Sequence, residues 1–146
     1  MNDLRFVLDT NTLVSAFLFK KSIVRRAYNR AQAIGNLLAS DQTATELRDV
    51  LQRPKFDKYL RREIRLAFAS NVIRKAILIE IKEKITASRD EKDDKFLELA
   101  ASGKASCIVS GDEDLLVLHP FRGIPILTPR QFLEWLAERS TEEQEE

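Results

Sequence analysis

The sequence predicts an α/β protein in three layers, with a central, mostly parallel five-stranded sheet covered by helices on both faces. Three observations carry this reading. Five short apolar runs rich in strand formers are each bounded, and segments of helical spacing lie between them. Strands alternating with helices imply βαβ crossovers, which require parallel strands and place helices on the sheet faces. A chain of 146 residues, 44% of them hydrophobic, is long enough for one continuous core. One domain over residues 1–140 is expected.

The first run, "RFVL" (5–8), leads into the helical patterns "NTLVSAFLF" and "SIVRRAYNRAQAI", and Gly35 stands where a helix stop should. The second, "LLAS" (37–40), is followed by "TATELRDVL" and then by "REIRLAFASNVIRKA". "ILIEI" (77–81) is the third strand. "DDKFLELAAS", with Gly103 as its stop, precedes the fourth, "SCIVS" (106–110). The last strand, "PILT" (125–128), runs into "PRQFLEWLAER", where Pro129 suits a first helical turn.

Composition excludes several classes. No apolar run approaches the ~18 residues of a membrane span, and "MNDLRF" lacks the order of a secretory signal. A cytoplasmic protein is expected. Cys107, the only cysteine, sits in an apolar run and reads as a buried, reduced thiol, so disulfides and cysteine-zinc sites are excluded. The glycines are too scattered for a phosphate loop. His119, the only histidine, precedes a proline and reads as a loop or edge residue with no triad around it. The net charge of +1 becomes +5 when the four glutamates of the tail 141–146 are set aside. That tail reads as a disordered end, and the mildly basic body permits a polyanionic substrate.

In open parallel sheets, ligands bind beyond the carboxyl ends of the strands. Asp9-Thr10-Asn11 follows the first strand, Ser40-Asp41 the second, and Ser110-Gly111-Asp112-Glu113-Asp114 the fourth. Glu46 and Asp94 join from helices. Taken singly, Glu46 and Asp94 are ordinary helix charges, Asp112 a turn residue or N-cap, and Asp41 a cap for the helix after it. With the first strand central, Asp9, Glu46, Asp94 and Asp112 can converge. Four carboxylates within about 5 Å repel by a few kcal/mol per pair at an effective dielectric near 20. A hard divalent cation, Mg²⁺ or Mn²⁺, is the natural neutraliser for an all-oxygen set.

These motifs resemble the PIN-domain ribonucleases, which include the VapC-like toxins of toxin–antitoxin pairs. "FVLDTNTLVSAFL" is similar to the family's opening strand and DTN motif, "SDQTATELRDVL" to its second motif, "DEKDDKFLELAAS" to its third and "CIVSGDEDLL" to its fourth. Nearly the whole chain is covered, with the four motifs in order. The resemblance implies a PIN-like fold and hydrolysis of RNA phosphodiesters at a Mg²⁺ or Mn²⁺ site, with Asp9, Glu46, Asp94 and Asp112 catalytic and Asp9, Asp94 and Asp112 holding metal. Asp94 is preferred to Asp93 because it stands directly before the helix pattern Phe96, Leu97, Leu99, Ala100. Thr10, Asn11 and Ser110 are placed to orient carboxylates or water, with Asp114 as a further water-holding group.

RNA requires cationic contacts. "KKSIVRRAYNR" offers Arg25, Arg26 and Arg30, and "YLRREIR" (59–65) a second cluster, although such stripes are often solvated helix faces. "FLF" (17–19) and "FLEWL" (132–136) read as core or dimer contacts. The expected partners are an RNA substrate, an antitoxin and a second copy of the chain. The alternatives are a catalytically weak RNA-binding or regulatory module and, less well matched, a phosphoryl-transfer enzyme or receiver using Asp9; a haloacid-dehalogenase-type phosphatase would want an aspartate at Asn11.

Overall fold

Strand β1 (Arg5–Leu8) takes the middle of the sheet, paired on both edges. The computed structural model describes residues 3–145, with side chains as far as Thr141. β2 (Asn36–Ala39), β3 (Ile77–Leu78), β4 (Cys107–Val109) and β5 (Ile126–Leu127) complete a fully parallel sheet of order β3-β2-β1-β4-β5. Phe6 lies in register with Leu37 on one side and Cys107 on the other. Chain reversal between β1's two neighbours opens a crevice beyond its carboxyl end.

The alternation of side chains along each strand separates two cores. Phe6, Leu8, Cys107 and Val109 face one way, toward α1 (Thr10–Leu18), α2 (Ile23–Ile34), α3 (Asp41–Leu51), α4 (Arg62–Lys75) and α7 (Pro129–Glu145). Val7, Leu38, Ile108 and Ile126 face the other, toward α5 (Asp94–Gly103) and the short α6 (Glu113–Leu116). This is the α/β/α layering that the sequence predicts. Phe132 meets Phe6 edge to face at 5.1 Å, and Phe17 stacks on Phe68 at 4.2 Å, whereas Phe19 is left exposed against Tyr59. Burial pushes the Cys107 thiol up to about 12, so it stays protonated as a core hydrophobe.

Several local expectations need correction. β3 is two residues long where the apolar run 77–81 suggests five. The chain leaves the sheet at Ile79, whose amide still donates to Ala39 O, and residues 79–90 cross α5 without regular structure. There the Lys82 amide donates to Ser102 Oγ and the Ile85 amide to Glu98 Oε2, so side chains replace the missing ladder. Gly103 is not the helix stop. It is the last residue of α5, where a Cβ would lie 2.6 Å from Leu38 Cδ1, and the left-handed residue is Lys104 at φ 53°. Ser40, not Asp41, caps α3, in a reciprocal box with Thr43. Arg65 is fully buried against Asp57 at 2.7 Å and so leaves the basic cluster 59–65. The backbone of α7 is helical to Glu145. Glu146 lies outside the described residues.

Candidate active site

Asp9 stands where β1 ends and α1 begins. It is the N-cap of α1, and its Oδ1 accepts the Thr12 amide at 2.9 Å. Its Oδ2 accepts the hydroxyl of Ser110, which is fully buried at the end of β4, the neighbouring strand. Ser110 Oγ in turn accepts the Asp112 amide at 3.0 Å. One hydroxyl therefore fixes two acidic residues from adjacent strands. Asp112 caps α6 through the Asp114 amide at 2.9 Å. The carboxylate at each strand end thus serves a helix N-terminus, where backbone N–H groups favour negative charge.

Even with those donors, the Asp9 carboxyl is raised above its ordinary range, foremost by burial and also by the charge of Asp112, against the lowering by Ser110 and Thr12. Only 5% of Asp9 is exposed. Asp9, Glu46, Asp93 and Asp112 line a single cleft of about 240 Å³ together with Asp90, Thr10, Asn11, Arg53 and Lys92. A second groove, of about 320 Å³, shares Asp9, Asn11 and Asp112 and continues past Ser15, Val24 and Pro129. The two meet over the Asp9–Asp112 pair.

The third motif supplies Asp93 to this cleft and not Asp94. A 3₁₀ turn, Glu91–Asp93, precedes α5 and sets the register one residue away from the one read off the helix pattern. Asp94 is buried, and its Oδ1 accepts the amides of Ala87 at 3.2 Å and Ser88 at 2.7 Å, so its charge holds the irregular segment. Asp93 is pushed up to about 7, first by desolvation and then by the charge and close approach of Asp112, with Asp90 and Asp9 adding to it. Its Oδ2 is buried without a hydrogen-bond donor. Only when protonated can that carboxyl share a hydrogen bond with Asp112.

An orphaned carboxylate oxygen in a crowd of carboxylates is what a cation site looks like before the cation is counted. Carboxylate oxygens of Asp93, Asp112 and Asp114 lie within 4.8 Å of one another. This all-oxygen set fits Mg²⁺ or Mn²⁺ and suits no soft metal. Glu46 sits apart in bonding: Thr10 Oγ1 donates to Oε1, and Lys95 Nζ lies 2.6 Å from Oε2.

Among the described residues, neither cleft is lined by Arg25, Arg26 or Arg30. Arg26 and Arg30 are exposed on α2, while Arg25 is half-buried, donating to Ala16 O and to Asn29. The cations lining the acidic cleft are Arg53 and Lys92, which sequence reasoning missed along with Lys95 beside Glu46. His119 Nδ1 accepts the Ile126 amide at 2.9 Å, a structural use at the sheet edge.

Parallel order around a central first strand, with a crevice lined by carboxylates at its carboxyl end, defines the class: an α/β protein with an acidic site at the switch point of its sheet. More narrowly, the chain belongs to the PIN domain family, whose model matches residues 5–114. PIN domains are generally nucleases, and so hydrolases. An uncharacterized protein of Methanocaldococcus jannaschii, MJ1680, is 28% identical over 146 residues, covering 90% of each chain. PAE2754 from Pyrobaculum aerophilum shares the fold with a TM-score of 0.59 at 15% identity, covering 92% of this chain and 91% of that one. The structure of VapBC2 from Rickettsia felis bound to a DNA fragment from their promoter gives a TM-score of 0.58 at 12% identity, over 84% of this chain and 97% of that one.

Proposed function

We propose that the protein is a metal-dependent endoribonuclease that hydrolyses RNA phosphodiesters at the Asp9–Asp93–Asp112 crevice, and that it is the toxin of a toxin–antitoxin pair. The observation that carries the reading is the convergence of Asp9, Glu46, Asp93 and Asp112 on one cleft. Asp9, Asp93 and Asp112 would hold Mg²⁺ or Mn²⁺, with Asp114 beside them; such an ion lowers the pKa of water and stabilises charge on phosphorus. Ser110 and Thr12 aim the Asp9 carboxyl and favour its charged form, and Thr10 orients Glu46. Glu46 is the acceptor left to orient water. Arg53 and Lys92 supply positive charge for the phosphates at the cleft wall. Arg26 and Arg30 extend that charge along α2, away from the cleft.

The toxin reading is supported by likeness of fold to a VapBC complex and by the family. An antitoxin would be its protein partner, and a second copy of the chain is a further one. No described helix is long and apolar enough to cross a membrane, which is consistent with work in the cytoplasm. The test is cleavage of a mixed-sequence single-stranded RNA with Mg²⁺, with Mn²⁺, and with chelator. Cleavage with either ion and none with chelator is expected. RNA binding without cleavage under all three conditions would favour the weak RNA-binding module.

A further inference from the structure

Lys95 is the first residue inside α5 after Asp94, and it does not point to solvent: only 8% of it is exposed. Its ammonium lies 2.6 Å from Glu46 Oε2, donates to the carbonyl of Lys92, and stands 5.2 Å from the face of the Phe96 ring. A carboxylate, a carbonyl and a ring face are three groups that stabilise a cation. Burying an ammonium is expensive unless it is paired in this way. The position is therefore a cation site that the chain fills by itself.

We infer that Lys95 is a built-in counter-cation that withholds Glu46 from metal, so that the crevice takes a single divalent ion, on its Asp9–Asp93–Asp112 side. The inference rests on the metal-dependent reading above. The two halves of the crevice differ in what balances their charge. Glu46 has the ammonium and the Thr10 hydroxyl, one on each oxygen. Asp93 has a buried oxygen with no donor, and its carboxylate lies within 4.8 Å of those of Asp112 and Asp114 with no ammonium among them. With one lone pair still free on each oxygen, Glu46 remains available to accept a hydrogen bond from water or a nucleotide. Lys95 acts through Glu46, which makes it a positioning residue.

Counting bound Mn²⁺ by the electron-spin resonance of the free ion, without RNA, tests this independently of cleavage. The wild type should bind one ion. Lys95→Met removes the charge at similar volume and should admit a second ion, which the double variant Lys95→Met with Glu46→Gln should lose again. Lys95→Arg keeps the charge and should stay at one. If Lys95→Met binds one ion as the wild type does, or if the wild type binds two, the inference is overturned while the nuclease reading stands. A wild type that binds none overturns the metal-dependent reading and the inference with it. Should Lys95→Met not fold by circular dichroism, Glu46→Gln alone decides. Affinity within about twofold of the wild type supports the inference, and a loss of about tenfold or more would make Glu46 a ligand and overturn it.

Discussion

Asp9 is costly to keep ionised where it stands, since burial and Asp112 both raise its pKa. Asp9→Asn keeps a cap acceptor for Thr12 and removes the charge. The variant should fold, melt no lower than the wild type without metal, and lose about 100-fold or more of its metal-dependent cleavage. A well-folded Asp9→Asn protein with full activity would sink the proposed site. Asp93 and Asp94 are neighbours with different work. Asp94→Asn weakens two charge-assisted hydrogen bonds to the 87–88 backbone, about 1–3 kcal/mol of stability, with metal affinity affected only through the loop. Asp93→Asn should weaken Mn²⁺ binding directly and change the pH profile. The folded-state value of Asp93, about 7, lies above its ordinary 3.8, so the native state binds a proton that the unfolded chain has released. Its contribution to stability is therefore present below that ordinary value and is lost as pH rises to about 7. Melts in chelator from pH 4 to pH 8 should show the Asp93→Asn protein losing less stability than the wild type over this window. Parallel profiles would place the perturbed group elsewhere.

Among the elements, β1 and β4 were fully legible: short apolar runs ending in Asp9 and Ser110-Gly111-Asp112 announce buried central strands with chemistry at their ends. The register of α5 was not, because Asp93 and Asp94 both precede the helix pattern. A 3₁₀ turn, capped by the Asp90 side chain on the Lys92 amide, decides between them. β3 was overread because Ile79 and Ile81 satisfy their apolar character against the second core instead of in a ladder. Arg53 was hidden by its place in a turn between helices, outside every motif, and Lys95 by its resemblance to any helix-surface lysine. Under the proposed ribonuclease function, two basic elements are candidates for the RNA contact. Replacing Arg53 with Ala should lower the salt slope of binding to single-stranded RNA by about 0.7 for each phosphate no longer neutralised. Arg26→Ala with Arg30→Ala should lower it by about twice that if α2 follows the strand. Fluorescence anisotropy at several salt concentrations reads both, and an unchanged slope for the α2 pair would mean that this face does not contact the RNA.

For the whole molecule, a divalent ion held in the acidic crevice would be coupled to folding, because the unfolded chain has no assembled site. At an ion concentration about 100 times the dissociation constant, the gain is about 2.7 kcal/mol, or about 5–11 °C in melting temperature for a domain of this size. Calorimetric melts with Mn²⁺ should show it, and Asp112→Asn should reduce it; an unmoved wild-type transition would mean that no site assembles. The segment 79–90 sets when that site exists. It is held to α5 by a hydroxyl and two carboxylates, Ser102, Glu98 and Asp94, and to the second core by Ile85, and it carries Asp90 on to the turn that delivers Asp93. Such a strap can peel away while the sheet stays paired, so a folded protein and a finished crevice are separate events with separate clocks. Amides at Ile85 and Ser88 should exchange with deuterium orders of magnitude sooner than that of Ile108 in mid-sheet, and slow down once Mn²⁺ ties Asp93 to the strand ends.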